Sequence, residues 1–228
     1  MTFTALVEGP LLWIAFLTFL IGSGLRLLFF ITLSTKKDKP VYRYFSFKWM
    51  MLSILRWLLP LNVDIKKNPV FTILGYIFHI CLLAVPLFYS AHIALWQESR
   101  FGWSWWQMPD VWADWLTLIL IAISIFFIIR RIVLAEVRII TTASDYLLII
   151  VCALPFVTGY LNTHPDGSAY AWVTSALPLY GQYSTLIHIL TGELMLILVP
   201  FTKLSHWVLF FVSRTVIGVE FGRRNYTV

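Results

Sequence analysis

Charge is what this sequence has least of. Only 12% of its 228 residues are Asp, Glu, Lys or Arg, while 60% are hydrophobic and the mean hydropathy is +0.82. That is about half the charge a soluble domain carries, and it excludes disorder, a coiled coil and an ordinary soluble enzyme. Cysteine is scarce as well. Cys81 and Cys152 both lie inside apolar runs and neither has a CxxC neighbour. A cysteine-ligated iron–sulfur cluster and a CxxCH haem attachment are therefore excluded for this chain. No basic stretch precedes the first apolar run and no A-x-A site follows it, so that run is expected to be a retained span rather than a cleaved signal. There is no useful internal repeat and no low-complexity tract.

What the chain has in quantity is apolar runs of the length that spans a bilayer as a helix, about 20 residues. They predict an all-α polytopic membrane bundle in a single domain, with five transmembrane helices at about 10–33, 70–96, 115–134, 146–162 and 183–210. The stretch 47–61 is apolar but short and carries Lys48 and Arg56. It is expected to be an amphipathic helix on the cytoplasmic face or under a soluble partner.

The cations set the expected orientation. On this topology 16 of the 17 lie on one side: eight within 34–69, then Arg26, Arg130, Arg131, Arg138, Lys203, Arg214, Arg223 and Arg224. Only Arg100 falls opposite, beside Glu8, Glu98, Asp110, Asp114 and Asp166. The positive-inside bias then places the N-terminus in the periplasm and the C-terminus in the cytoplasm of a multi-pass inner-membrane protein. Trp96, Trp103, Trp105, Trp106, Trp112, Trp115 and Trp172 would form an outer interfacial belt, or a wall for a flat lipophilic ligand.

Of five histidines, His79, His92, His188 and His206 fall within spans, where ionisable groups are costly and point to function. On one continuous helix, His188 and His206 would share a face about 27 Å apart along the axis. The second span runs the opposite way, so depth pairs His92 with His188 and His79 with His206. Two histidine pairs stacked through a membrane suit two b-type haems, since imidazole is a standard axial ligand. One spacing fits badly: His79 and His92 would lie about 140° apart on an ideal helix, although Pro86 between them can kink it. Transmembrane zinc is disfavoured, because no Cys, Asp or Glu stands at ligand spacing. His164, followed by Pro165, Asp166 and Gly167, reads as a turn residue or a minor candidate for proton exchange.

Four stretches resemble a known family: IGSGLR (21–26), FHICLLAVPLFYSAHI (78–93), RRIVLAEVRIITTASDYL (130–147) and HILTGELMLILVPFTKLSH (188–206). The chain resembles the di-haem cytochrome b gamma subunit of respiratory nitrate reductase. It is also similar to the membrane cytochromes of sulfate-reducer complexes, of the sulfite-reductase-linked and high-molecular-weight cytochrome types. The His79–His92 interval looks more like this second branch, whose partner is heterodisulfide-reductase-like. The resemblance implies that His92 and His188 hold an outer haem and His79 and His206 an inner one. It implies two haem b, a menaquinone-type quinone as exchangeable substrate, and a cytoplasmic iron–sulfur subunit of the heterodisulfide-reductase or nitrate-reductase beta type within a larger membrane complex. The alternatives are a hydrogenase or formate dehydrogenase type cytochrome b anchor with a periplasmic partner, or a non-redox scaffold. A terminal-substrate active site is not expected in this chain, and nucleic acid is not an expected partner.

Further candidates surround the histidines. Arg26, Arg130, Arg131, Arg138 and Lys203 are either topological cations or partners of haem propionates, which guanidinium binds bidentately. Asp145 is a candidate helix cap. Tyr89, Ser90, Trp96, Arg100 and Asp114 are the candidate polar lining of a quinone pocket. Glu193, five residues after His188, is a neutral buried carboxyl or a proton relay.

Overall fold

A computed structural model describes residues 2–59, 61, 64–99, 101–224 and 226. Every regular element among them is helical. A short helix, Phe3–Leu6, and a π-helical turn holding Pro10 lead into α1 (Leu12–Lys37). Then come α2 (Phe47–Leu58), α3 (Pro69–Phe88), α4 (Ser90–Glu98), α5 (Asp110–Val133), α6 (Ala143–Thr163), α7 (Ser168–Ala176), α8 (Pro178–Leu198) and α9 (His206–Gly222).

Among the described residues five stretches are long and apolar enough to cross a membrane: Phe3–Lys37, Pro69–Phe88, Asp110–Val133, Ala143–Thr163 and Lys203–Gly222. Their large side chains stay exposed, Leu25, Leu28, Ile80, Leu83, Val111 and Ile132 among them. Such apolar flanks suit helices whose solvent is lipid.

Two expected spans are not single helices. The second stops at Phe88 and resumes at Ser90, with Tyr89 extended between them (φ −71°, ψ 134°). Proline at 86 starts the disruption by removing a donor from the last turn. The helical phase that set His79 and His92 about 140° apart therefore does not carry across. The fifth span also breaks, between Leu198 and His206, where Pro200 occupies a turn and Lys203–Ser205 is a 3₁₀ turn. His188 and His206 sit on different helices, so the 27 Å separation expected along one continuous axis does not hold. The fifth stretch of spanning length is Lys203–Gly222 rather than 183–210. α8 is 21 residues long, carries His188 and Glu193, and kinks at Tyr183.

The chain divides into two compact units, residues 1–73 with 193–228 and residues 74–192. In the first, α9 lies along α1 in the same direction. Trp207 stacks on Phe19 (centroids 5.1 Å, 15°) near the start of α9. At its end the Arg223 guanidinium covers the Tyr44 ring at 5.3 Å. Gly22, from the IGSGLR stretch, makes room for Pro200: a Cβ there would come within 2.8 Å of the proline ring.

The amphipathic helix α2 docks on α9 through Trp49, Ser53 and Trp57, spaced four apart and so on one face. A Cβ on Gly218 would lie 2.5 Å from that of Ser53, and one on Gly222 would land inside the Trp49 ring. Arg214 sits over the Trp57 ring at 4.1 Å. The cations of the C-terminal helix and those near the end of α1 thus gather at one end of this unit.

In the second unit α5 and α6 form an antiparallel pair. Arg131 donates to the Thr141 hydroxyl at one end (3.2 Å), and Asp114 meets His164 at the other (3.5 Å). Leu120, Ile123, Val151 and Phe156 form the buried apolar contribution of this pair. α6 begins with a capping box, in which the Asp145 carboxylate accepts from the Thr142 N–H at 2.8 Å, as expected for Asp145.

The close approach of α2 to α9 yields a paired prediction. Gly222→Ala should lower thermal stability by about 1–3 kcal/mol through overpacking against Trp49. Gly24→Ala, with nothing within 4 Å of its added Cβ, should be neutral or stabilising by up to about 1 kcal/mol. Thermal unfolding in detergent reads both, and equal losses would contradict the docking.

Candidate functional site

The site rests on the break at Tyr89. Interrupting a helix inside apolar surroundings strands carbonyl groups, and these must find donors. The loop after α4 supplies them: the Trp105 indole N–H donates to the Leu87 carbonyl (2.7 Å) and the Met108 N–H to that of Phe88 (2.9 Å). α4 then restarts with the His92 and Ile93 N–H groups donating to the Tyr89 carbonyl (3.1 and 3.2 Å). Ile93 is fully buried and anchors the short helix. His92 stands on it, edge-on to Tyr89 (5.5 Å, 83°).

His188, from the kinked helix α8, faces His92 within the same unit. The two imidazole planes are parallel within 8° and their centroids are 6.1 Å apart. His188 Nδ1 lies 3.2 Å from the Thr158 hydroxyl on α6. That hydroxyl donates its one proton to the Leu154 carbonyl at 2.9 Å, so toward the ring it accepts. With the ring proton placed toward that hydroxyl, the ring donates from Nδ1 and keeps its lone pair on Nε2. The next residue, Gly159, is where the ring finds space: a Cβ there would sit 3.0 Å from His188 Cε1.

Two imidazoles this close could each offer a ring nitrogen to a shared metal. Among the described residues no group of three or more His, Cys, Asp or Glu gathers. Two protein ligands would suffice where a macrocycle supplies the other donors, as in a haem. His92 Nδ1 is buried and meets no hydrogen-bond partner among the described residues, so the two rings of the pair are held differently.

The other two histidines are described each in its own unit. The His79 Nδ1–H donates to the Gly75 carbonyl (2.7 Å) and the His206 Nδ1–H to the Lys203 carbonyl (2.9 Å). Both rings are exposed and carry the lone pair on Nε2.

The remaining candidates separate. Ser90 donates to Asp110 (3.1 Å) and ties α4 to the start of α5. Trp96 stacks on Trp103 (6.0 Å, 12°). Asp114 pairs with His164, whose ring stacks on Tyr160 at 4.2 Å and whose Nδ1–H donates to the Tyr160 carbonyl (3.0 Å). Arg100 lies outside the described residues. Arg26 is exposed with its guanidinium 5.5 Å from the Phe30 ring of its own helix. Arg138 donates to the Ile132 carbonyl (3.4 Å). Arg130 is half-buried and Lys203 exposed. Glu193 is 2% exposed, and neither carboxyl oxygen meets a partner among the described residues. An ionised carboxylate would be costly there.

Sequence reasoning missed Thr158, Gly159 and Met108, and it placed Trp105 in the aromatic belt without its bond to Leu87. The first two do leave a trace, a hydroxyl and a glycine side by side in an otherwise apolar run. The loop donors leave none.

A protein of Nitratidesulfovibrio vulgaris strain Hildenborough, described by that one word, is 38% identical over 223 residues, covering 96% of this chain and 93% of its own. No family model matches the chain. No solved structure matches it.

The break at Tyr89 should depend on its loop donors. Trp105→Phe keeps the aromatic bulk and removes the indole donor to Leu87, so it should cost about 1 kcal/mol. Trp106→Phe trims an indole that is 62% exposed and should change thermal stability by less than half as much. Thermal unfolding of the two variants side by side makes the comparison.

Proposed function

Because the chain belongs to the same family as the Nitratidesulfovibrio vulgaris protein, whose description assigns no chemistry, we propose its function from its own residues. It is a di-haem b membrane subunit of a respiratory oxidoreductase complex. It transfers electrons between a menaquinone-type pool and a cytoplasmic iron–sulfur subunit. The observation that carries this reading is the parallel His92–His188 pair at 6.1 Å.

When bound, haem supplies a reversible one-electron carrier at membrane depth. The chain's own part is to place it. His92 and His188 would hold the iron, and the Thr158 hydroxyl would favour the His188 tautomer that offers Nε2. The second haem falls to His79 and His206. The resemblance supports that assignment, as does the Nδ1–H tautomer each ring already adopts. Arg26, Arg130, Arg131, Arg138 and Lys203 are proposed propionate partners or boundary cations. Tyr89, Ser90, Trp96, Arg100, Asp114 and Glu193 are proposed for the quinone pocket and its proton route.

The inner membrane is the proposed location, with the N-terminus periplasmic and the C-terminus cytoplasmic. The gathering of Arg214 and Arg223 with the aromatic residues after α1 supports this sidedness, because those cations would then lie on the positive side together. That end is also where a cytoplasmic iron–sulfur partner would dock.

A pyridine haemochrome assay should give two haems per chain. His92→Ala, His188→Ala and the double variant should each lose the same single haem, because the two ligands serve one iron. His79→Ala or His206→Ala should remove the other, and His164→Ala should keep both. A purified chain without b-type Soret and alpha bands would leave the scaffold reading in its place. Independently, a reporter fused to the C-terminus should be active in the cytoplasm; periplasmic activity would invert the topology and exchange inner and outer haems.

A further inference from the structure

We propose that Thr158 is a positioning residue for His188, acting through its hydroxyl to set the tautomer and the donor strength of that ligand. The inference rests on the haem reading above and deepens it.

The argument is one of proton counting. A threonine hydroxyl has one proton and two lone pairs. The Leu154 carbonyl at 2.9 Å is the nearer acceptor for that proton, with the Pro155 carbonyl at 3.2 Å the other main-chain acceptor among the described residues. Thr191, whose hydroxyl lies 3.2 Å away, spends its own proton on the His188 carbonyl at 2.8 Å. What Thr158 offers the imidazole at 3.2 Å is therefore a lone pair. Only the Nδ1–H tautomer can use it, and that tautomer presents Nε2 to a metal. An acceptor on Nδ1–H also pulls charge onto the ring and makes Nε2 a stronger donor, as outer partners of metal-bound histidines do.

The position is built for this. Thr158 is 5% exposed, so water does not compete for the ring proton. Gly159, next on the helix, admits the ring edge-on, where any side chain would press on Cε1 at 3.0 Å. His92, across the pair, meets no hydroxyl at Nδ1 among the described residues, so the Thr158 hydroxyl acts on one ligand of the pair.

The test compares Thr158→Val, which keeps the shape and removes the hydroxyl, with Thr158→Ser, which keeps the hydroxyl. Both are read in the full-length chain in detergent by redox titration of the haem absorbance, by the g-values of the ferric low-spin signals, and by the rate of haem loss to an apo-globin scavenger. In Thr158→Val one of the two haems should shift to a higher midpoint potential, since its ligand donates less strongly to the oxidised iron. The same haem should be lost about tenfold faster. Thr158→Ser should restore both values, and the second haem should be unmoved in either variant. Ser124→Ala removes a buried hydroxyl that donates to Leu120 on its own helix (2.8 Å) and should move neither potential. Complete loss of one haem in Thr158→Val with retention in Thr158→Ser also supports the role. An unchanged potential, or equal loss in the valine and serine variants, overturns it and leaves the haem reading intact. A wild-type chain that binds no haem overturns the haem reading itself, and this inference with it.

Discussion

The constraint on which the rest depends is that backbone polar groups in apolar surroundings must be satisfied by the chain itself. A continuous helix meets it automatically; a broken one does not. This chain breaks its helices at two places that bear on the histidines, after Pro86 and around Pro200, and each break is furnished locally. At the first, Trp105 and Met108 cap the Leu87 and Phe88 carbonyls. At the second, the Thr202 side chain accepts from the Leu204 N–H at 3.3 Å and the Ser205 N–H donates to the Thr202 carbonyl at 3.1 Å. Turning the chain in this way is what allows His92 and His206 to stand on helices other than those that a straight reading would give them.

That explains which parts were legible in advance. Length and hydropathy are averages over about 20 residues, so the existence of spanning helices and the positions of α1, α3, α5 and α6 survive errors in detail. The pairing of His92 with His188 was also legible, because it needs only which end of a helix each residue occupies. Phase was not. The angle between His79 and His92, and the shared face of His188 and His206, are sums of about 100° per residue and fail at the first interruption. A proline flags where an interruption is allowed but not whether distant donors will stabilise it. Trp105 lies 18 residues from the carbonyl it caps, and nothing in the local pattern of either announces the other.

The small residues show the same divide. Gly22, Gly218 and Gly222 sit in apolar helices where glycine costs about 1 kcal/mol relative to alanine. Each is placed against a neighbour that leaves no room for a Cβ: Pro200, Ser53 and the Trp49 ring in turn. The same contacts bring Arg214 over Trp57 and Arg223 over Tyr44. Aromatic faces help guanidinium groups stay beside apolar helices, and Arg223 adds an ion pair to Glu220 at 3.1 Å. The amphipathic character of residues 47–61 was readable, while the helix it docks on was not, because its partner is some 170 residues away in sequence.

Scarcity of charge also shapes the candidate site. Its named groups are imidazoles, hydroxyls and main-chain carbonyls, which can be buried without an ionised partner. His188, Thr158 and Leu154 form a hydrogen-bonded chain of neutral groups. Desolvation penalises a carboxylate far more than a neutral ring, so a pair of neutral ligands is the form of metal site that a bundle of this composition can hold at depth. Glu193 is the exception, buried with both oxygens unpartnered among the described residues. A group so placed is retained against a standing cost. The other buried polar side chains among the described residues are serine and threonine hydroxyls, whose burial carries no such charge penalty.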